Sequence, residues 1–223
     1  MKYQLLEKYA SQPRMNRFFI ATGTEAGAMN LYHANLRTSQ AFYPILNLTE
    51  TFLRNSLYTA VATHFSNSDW IITEKTGFMD DTSLAMSGYY LKNSVILAEN
   101  KMHKKGIAIS AGKILAEQSF GFWVSLFENA HYKLIGGSVI HSFPHKPKHI
   151  NRKAIFLLLS RIRDFRNRIY HNEPICFNGT SVDFTFASQI KQDIFNLLDW
   201  MEPDIKKYVA LFDNIDQEIQ KNK

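Results

Sequence analysis

The chain has 223 residues, of which 45% are hydrophobic, so it is long enough to bury a substantial core. A single cysteine, Cys176, excludes an internal disulfide and a cysteine-based zinc site. The N-terminus becomes charged before any apolar run could act as a signal, which favours a cytoplasmic protein without a membrane segment. Because no Ser/Gly/Pro-rich linker interrupts the sequence, a single domain over 1–223 is predicted.

Apolar residues recur mostly at helical spacing, with Pro and Gly between the blocks, which predicts an all-α fold. The predicted helices cover residues 3–10, 24–42, 45–66, 82–103, 110–128, 149–172, 187–201 and 203–220. Pro44 is expected to break or kink the chain between the second and third of these, because its ring cannot continue the hydrogen-bond ladder. One short β-hairpin is predicted near 175–186, since its Asn178-Gly179 pair readily adopts the positive φ of a tight turn.

Positive charge is concentrated in one segment of the chain. The net charge is +6, yet residues 145–171 alone carry eight basic residues against one acidic residue, Asp164. Such a concentration predicts a polyanion partner, RNA, although a solvated basic helix face is the alternative. The predicted RNA-binding residues are Lys146, Lys148, Arg152, Lys153, Arg161, Arg163 and Arg168.

The helix predicted over 149–172 carries the candidate chemistry. Its apolar stripe consists of Ile155, Leu158, Leu159, Ile162, Phe165 and Ile169. Arg166 falls inside that stripe, so its guanidinium must find a partner, border a water-filled cleft or snorkel to solvent. Asn167 and His171 share an adjacent face. Because Arg166 and His171 are about 140° apart on a regular helix, their cooperation requires an irregular last turn before Pro174 or a second copy of the chain.

A carboxylate on the helix predicted over 45–66 could orient this arginine. Glu50 lies within the apolar face of that helix, four residues before Arg54. We expect Glu50 to hold Arg166 or Arg54 in orientation, and a purely structural ion pair between packed helices is the alternative.

Three segments of the sequence resemble motifs of one protein family. Residues 161–175, RIRDFRNRIYHNEPI, are similar to an R-x4-6-H motif in the form RNRIxHxEPI. Residues 48–55, LTETFLRN, are similar to an E-x3-R-N helix, and residues 119–126, SFGFWVSL, to an FG-x-W segment. Together these segments resemble the Abi-like, abortive-infection branch of the HEPN ribonucleases over about 48–175. Asn172 stands where that branch often has a second histidine.

The resemblance implies a HEPN-like helical bundle with additional helices, which dimerises to form a composite cleft. It implies a metal-independent, cofactor-free endoribonuclease that cleaves single-stranded RNA as a defence effector or toxin, held in check by an RNA or protein antitoxin. Arg166, Asn167 and His171 would be catalytic, supported by Glu50, Arg54, Asn55 and Tyr170. The alternatives are a non-catalytic RNA-binding helical module and a protein–protein adaptor.

Three histidines at four-residue intervals, His141, His145 and His149, have the spacing of metal ligands on a helix. Pro144 and Pro147 disfavour a helix there, so we predict an RNA-holding loop and no metal site.

Overall fold

The computed structural model describes residues 1–221, and it confirms an all-α fold with one short β-hairpin. The first helices are α1 (Tyr3–Ala10), α2 (Gln12–Thr22), α3 (Glu25–Phe65), α4 (Trp70–Thr73), α5 (Tyr90–Lys104) and α6 (Ala111–Glu117). They are followed by α7 (Phe120–Ser125), α8 (Asn129–Leu134), α9 (Arg152–Tyr170), α10 (Thr185–Met201), α11 (Pro203–Ala210) and α12 (Ile215–Gln220). Short 3-10 turns cover Phe78–Asp80, Thr82–Ser87 and Ser138–Ser142. The hairpin pairs β1 (Phe177–Asn178) antiparallel with β2 (Ser181–Val182), in the predicted interval.

The backbone forms two compact units, each assembled from separate stretches of the chain. Unit 1 comprises Met1–Leu48, Asp164–Leu198 and the described residues from Asp204 onward. Unit 2 comprises Thr49–Arg163 and Asp199–Pro203. The single domain predicted over 1–223 stays a prediction. No helix within residues 1–221 is both long and apolar enough to cross a membrane.

Helix α3 corrects the prediction of two helices at 24–42 and 45–66. It runs unbroken for 41 residues with Pro44 in its interior. An interior proline costs about 3 kcal/mol through its missing N–H and its steric clash. Because the neighbouring Phe42, Ile45 and Leu46 are buried, apolar packing on both sides of Pro44 offsets that cost.

Other predicted helices are shorter than expected because local turns divide them. The helix predicted over 82–103 begins only at Tyr90, since Gly88 and Tyr89 adopt φ of +61° and +53°. The helix predicted over 110–128 is interrupted between α6 and α7. The helix predicted over 203–220 divides before α12, where the Asp213 carboxylate accepts the Ile215 N–H at 3.1 Å. Helix α2 was not predicted. Its Pro13 occupies the first turn, where proline is tolerated.

The stripe predicted on α9 is confirmed, since all six of its apolar residues are buried. In unit 1, Phe165 packs between two other aromatic rings. Its ring centroid lies 4.8 Å from that of Phe42 and 5.8 Å from that of Phe186. Phe165, the residue immediately before Arg166, is therefore packed in the core of unit 1.

The one cysteine lies in the same core. Cys176 has no exposed surface, and burial raises the pKa of its thiol to about 12. Since only the thiolate reacts, iodoacetamide at pH 8 should modify native Cys176 about 10³-fold more slowly than the unfolded chain. Mass spectrometry of quenched time points in buffer and in guanidinium measures the two rates. Equal rates would contradict the packing of residues 175–177.

In unit 2, the segment resembling FG-x-W is helix α7, and its Phe122 and Trp123 are fully buried. Gly121 leaves room for the Tyr90 side chain, because an added Cβ would approach the Tyr90 hydroxyl to 3.0 Å. The segment is therefore part of the core of unit 2.

Candidate functional site

Helix α9 ends in a defined turn that carries His171. The Glu173 N–H donates to the Arg168 carbonyl at 2.8 Å, and the Asn172 N–H donates to the Ile169 carbonyl at 3.0 Å. Asn172 adopts φ of +56°. These two bonds around a left-handed residue form a Schellman motif, in which His171 is the C-cap. The helix predicted over 149–172 thus ends earlier, at Tyr170, and its last turn departs from regular geometry as expected before Pro174.

Arg166 is held within unit 1 by two neighbours on its own helix. Its guanidinium carbon lies 4.0 Å from the ring centroid of Tyr170, and Nη1 donates to the Asn167 side-chain oxygen at 3.4 Å. The Tyr170 ring contacts in turn the ring of Tyr43 on α3, with centroids 5.3 Å apart. The arginine is half-buried, and its Nε is shielded from solvent. The structure thus brings together Arg166, Asn167 and Tyr170, three of the predicted site residues.

His171 follows these residues in the chain, and it is exposed. Its backbone N–H donates to the Asn167 carbonyl at 2.9 Å, and its side chain begins where the helical ladder stops.

The left-handed conformation of Asn172 determines how substitutions at this position should change the free energy of unfolding. Asn172→Gly should leave the free energy of unfolding unchanged or raise it, because glycine adopts positive φ without a steric penalty. Asn172→Ala should lower it by about 1 kcal/mol, because alanine keeps the Cβ that crowds the following carbonyl but lacks the short polar side chain through which asparagine tolerates this conformation. Urea denaturation of both variants measures the difference. An alanine variant as stable as the glycine variant would contradict the turn.

A groove in unit 1 borders the same turn. It has a volume of about 240 Å³, and Asn172, Glu173 and Pro174 form one of its walls. Arg14 on α2 and Tyr43 on α3 line it as well. Sequence reasoning missed both residues, because they come from distant parts of the chain. The only sequence signal for Arg14 is its positive charge.

Arg168, predicted to bind RNA, is engaged by the turn. Its Nη2 donates to the Pro174 carbonyl, and its Nε lies 3.7 Å from the Glu173 carboxylate. The residue after Pro174 is held by a further hydrogen bond, in which the Asn35 side-chain oxygen accepts the Ile175 N–H at 2.7 Å. These contacts give Arg168 a structural role next to the predicted one.

The other predicted RNA-binding residues lie in unit 2. Arg152 donates to the Phe127 carbonyl and lies over the Tyr132 ring, 5.9 Å from its centroid. Lys148, Lys153 and Arg161 are exposed, whereas Lys146 and Arg163 are half-buried.

Glu50, Arg54 and Asn55 also lie in unit 2, on α3. Glu50 and Arg54 are half-buried, and Asn55 is exposed. The orienting role predicted for Glu50 stays a prediction.

The histidine segment is irregular beyond the 3-10 turn Ser138–Ser142, as its prolines predict. The His145 N–H donates to the Trp200 carbonyl at 3.0 Å, and its Nε2 lies 3.6 Å from the Glu202 carboxylate. Within residues 1–221, no three His, Cys, Asp or Glu side chains cluster in a way that could hold a metal ion.

Comparison with known proteins yields no match. No family model matches the sequence, and no curated protein or solved structure is detectably similar to it.

Proposed function

We propose that this chain is a metal-independent endoribonuclease of the HEPN type, in its Abi-like branch, acting on single-stranded RNA as a defence effector or toxin. The proposal includes a homodimer in which two copies of the α9 C-terminus form a composite cleft, and an RNA or protein antitoxin. One observation carries it. Arg166, Asn167 and Tyr170 form a contacting cluster directly before an exposed histidine at the end of α9.

The residue types fit cleavage by the RNA's own 2′-hydroxyl. In this reaction the 2′-oxygen loses its proton to a base and attacks the adjacent phosphorus, and the bond to the 5′-oxygen breaks as that oxygen gains a proton. An imidazole exchanges protons near neutral pH, so His171 and its partner-chain copy could serve as base and acid. The products are a 2′,3′-cyclic phosphate and a 5′-hydroxyl.

Arg166 would stabilise the charge on the phosphorane. Its guanidinium stays ionised and presents parallel N–H donors that fit two phosphate oxygens. The Tyr170 ring and the Asn167 amide already restrict its rotamer, which lowers the cost of orienting it at the moment of reaction.

The direct test is incubation of the pure full-length protein with end-labelled single-stranded RNA in EDTA. We expect fragments that end in a 2′,3′-cyclic phosphate, identified by their shift on treatment with a phosphatase that opens cyclic phosphates. Fragments with 3′-hydroxyl ends, or cleavage that EDTA abolishes, would contradict the proposal. Salt-dependent binding without cleavage would favour the RNA-binding module. A lack of RNA affinity at low salt would favour the protein–protein adaptor.

A further inference from the structure

The groove that borders the turn after α9 contains an arginine without a partner. Arg14, on α2, lines this groove and is half-buried. Within residues 1–221, its guanidinium has no hydrogen-bond acceptor, no ion pair and no aromatic ring beneath it. Withdrawing a charge from water without a partner is costly, so a group in this position gains from binding an anion.

A second arginine on the same helix shows the contrast. Arg17 donates to the Gly179 carbonyl at 3.1 Å, and its guanidinium carbon lies 4.5 Å from the centroid of the Phe177 ring. These contacts engage the Arg17 side chain within unit 1, and it does not line the groove. Of these two arginines, Arg14 is therefore the one whose charge is available to a ligand in the groove.

A hydrogen-bond donor in the groove also lacks a partner. Asn35 is 4% exposed, and its side-chain oxygen accepts the Ile175 N–H at 2.7 Å. Because a backbone N–H can only donate, this bond fixes the orientation of the amide and leaves its Nδ2 group over. That Nδ2 donates to no residue within 1–221, and it is not sealed from solvent. The groove therefore offers donors to a ligand that carries acceptors.

The charges on the groove wall favour an anionic ligand. Its lining contains one cation, Arg14, and one carboxylate, Glu173. The Glu173 carboxylate lies 3.7 Å from the Arg168 Nε, so its charge is partly neutralised within the turn. The charge of Arg14 has no such counterpart in the described chain. The unopposed charge in the groove is therefore positive.

Tyr43 connects the groove with the proposed catalytic cluster. It lines the groove, and its ring contacts the ring of Tyr170, over which the Arg166 guanidinium lies. Residues 172–174, which form one wall of the groove, directly follow His171. An RNA strand whose scissile phosphate lay at Arg166 and His171 would therefore reach this groove with a neighbouring nucleotide. The partly exposed tyrosine rings suit stacking with the bases of a single strand.

We infer that the groove is a subsite for the RNA substrate, in which Arg14 binds a backbone phosphate other than the scissile one. The inference rests on the proposed function, because it takes RNA as the ligand. A backbone phosphate is an anion whose two free oxygens fit the parallel N–H donors of a guanidinium. Arg166 would hold the phosphate that reacts, and Arg14 would keep the strand in register.

The test is binding of the full chain to a single-stranded RNA whose 2′-hydroxyls are all methylated, so that it lacks the nucleophile. Fluorescence anisotropy at a series of KCl concentrations measures Kd. Arg14→Ala should raise Kd about tenfold and reduce the slope of log Kd against log salt by about 0.7, as for loss of one phosphate contact on a single strand. Arg14→Lys keeps the charge and should restore the slope. Neither variant should lower Tm, because Arg14 has no partner in the described chain.

Arg17→Ala is the matched control, since it removes the same charge one turn further along α2, outside the groove. Its salt slope should equal that of the wild type. Lys8→Ala, which removes an exposed cation from α1, is the second control, should Arg17→Ala fold poorly. Equal losses of slope in Arg14→Ala and the control would mean that positive charge acts only diffusely, and they would overturn the subsite. Wild-type binding by Arg14→Ala would overturn it as well.

Cleavage of unmodified RNA separates this inference from the nuclease proposal. Arg14→Ala should raise KM about tenfold and leave kcat within about twofold, because Arg14 does not touch the reacting atoms. Cleavage with an unchanged KM in this variant would overturn the subsite and leave the nuclease proposal intact. A wild-type protein that binds RNA through Arg14 without cleaving it would support the subsite and contradict the nuclease proposal.

Discussion

His171→Ala should lower the rate of RNA cleavage by about 10²–10⁴-fold, the contribution typical of a general acid or base. Because His171 is exposed at the end of α9, its removal should leave Tm unchanged. Single-turnover cleavage of labelled RNA in EDTA measures the rate. His103→Ala, which removes an exposed histidine from the last turn of α5, is the control and should cleave normally. Undiminished cleavage by His171→Ala would refute the catalytic role of His171.

Arg166 gives a second arm of the same experiment. Arg166→Ala should lower the rate by about 10²–10³-fold, as for loss of one donor to a transition-state charge. Arg166→Lys keeps the positive charge but loses the paired donors, so its activity should stay well below that of the wild type. Wild-type activity in the lysine variant would mean that charge alone suffices and would contradict the bidentate role.

Phe165→Ala should lower the free energy of unfolding by about 3–5 kcal/mol, the largest stability effect that we expect of a single substitution in α9. The ring is fully buried between Phe42 and Phe186, and its loss leaves a cavity that the surrounding core cannot fill. Guanidinium denaturation monitored by circular dichroism measures the change.

Leu157→Ala on the same helix is the matched control. Leu157 is 52% exposed, so its substitution should change the free energy of unfolding by less than about 0.5 kcal/mol. Similar losses in the two variants would contradict the burial pattern of α9.

The sequence predicted those features that depend on periodicity. The apolar stripe of α9 follows from spacing alone, because a helix repeats every 3.6 residues. The hairpin followed from the Asn178-Gly179 pair. Helix ends were predicted less well, because they depend on the backbone conformation of single residues such as Gly88. The spacing of apolar residues does not reveal that conformation.

Features that depend on tertiary packing were not predictable. The continuity of α3 through Pro44 results from burial on both sides of the proline, which the local sequence does not reveal. The contact of Tyr43 with Tyr170 joins residues that are far apart in the chain. The sequence does not distinguish Arg168 from the other basic residues of its segment. Only the structure shows the hydrogen bond that Arg168 donates to the Pro174 carbonyl.

The turn after α9 affects how mutational scans of this protein should be read. His171 is the C-cap residue of α9, and the conformation of this turn depends on the positive φ of Asn172. A bulky or β-branched residue at 172 would redirect the histidine without touching any substrate. Such a variant would lose activity as if a reactive group had been removed, although the cause would be a changed backbone conformation. Asn172→Gly distinguishes these two causes, because it removes the side chain and keeps the positive φ.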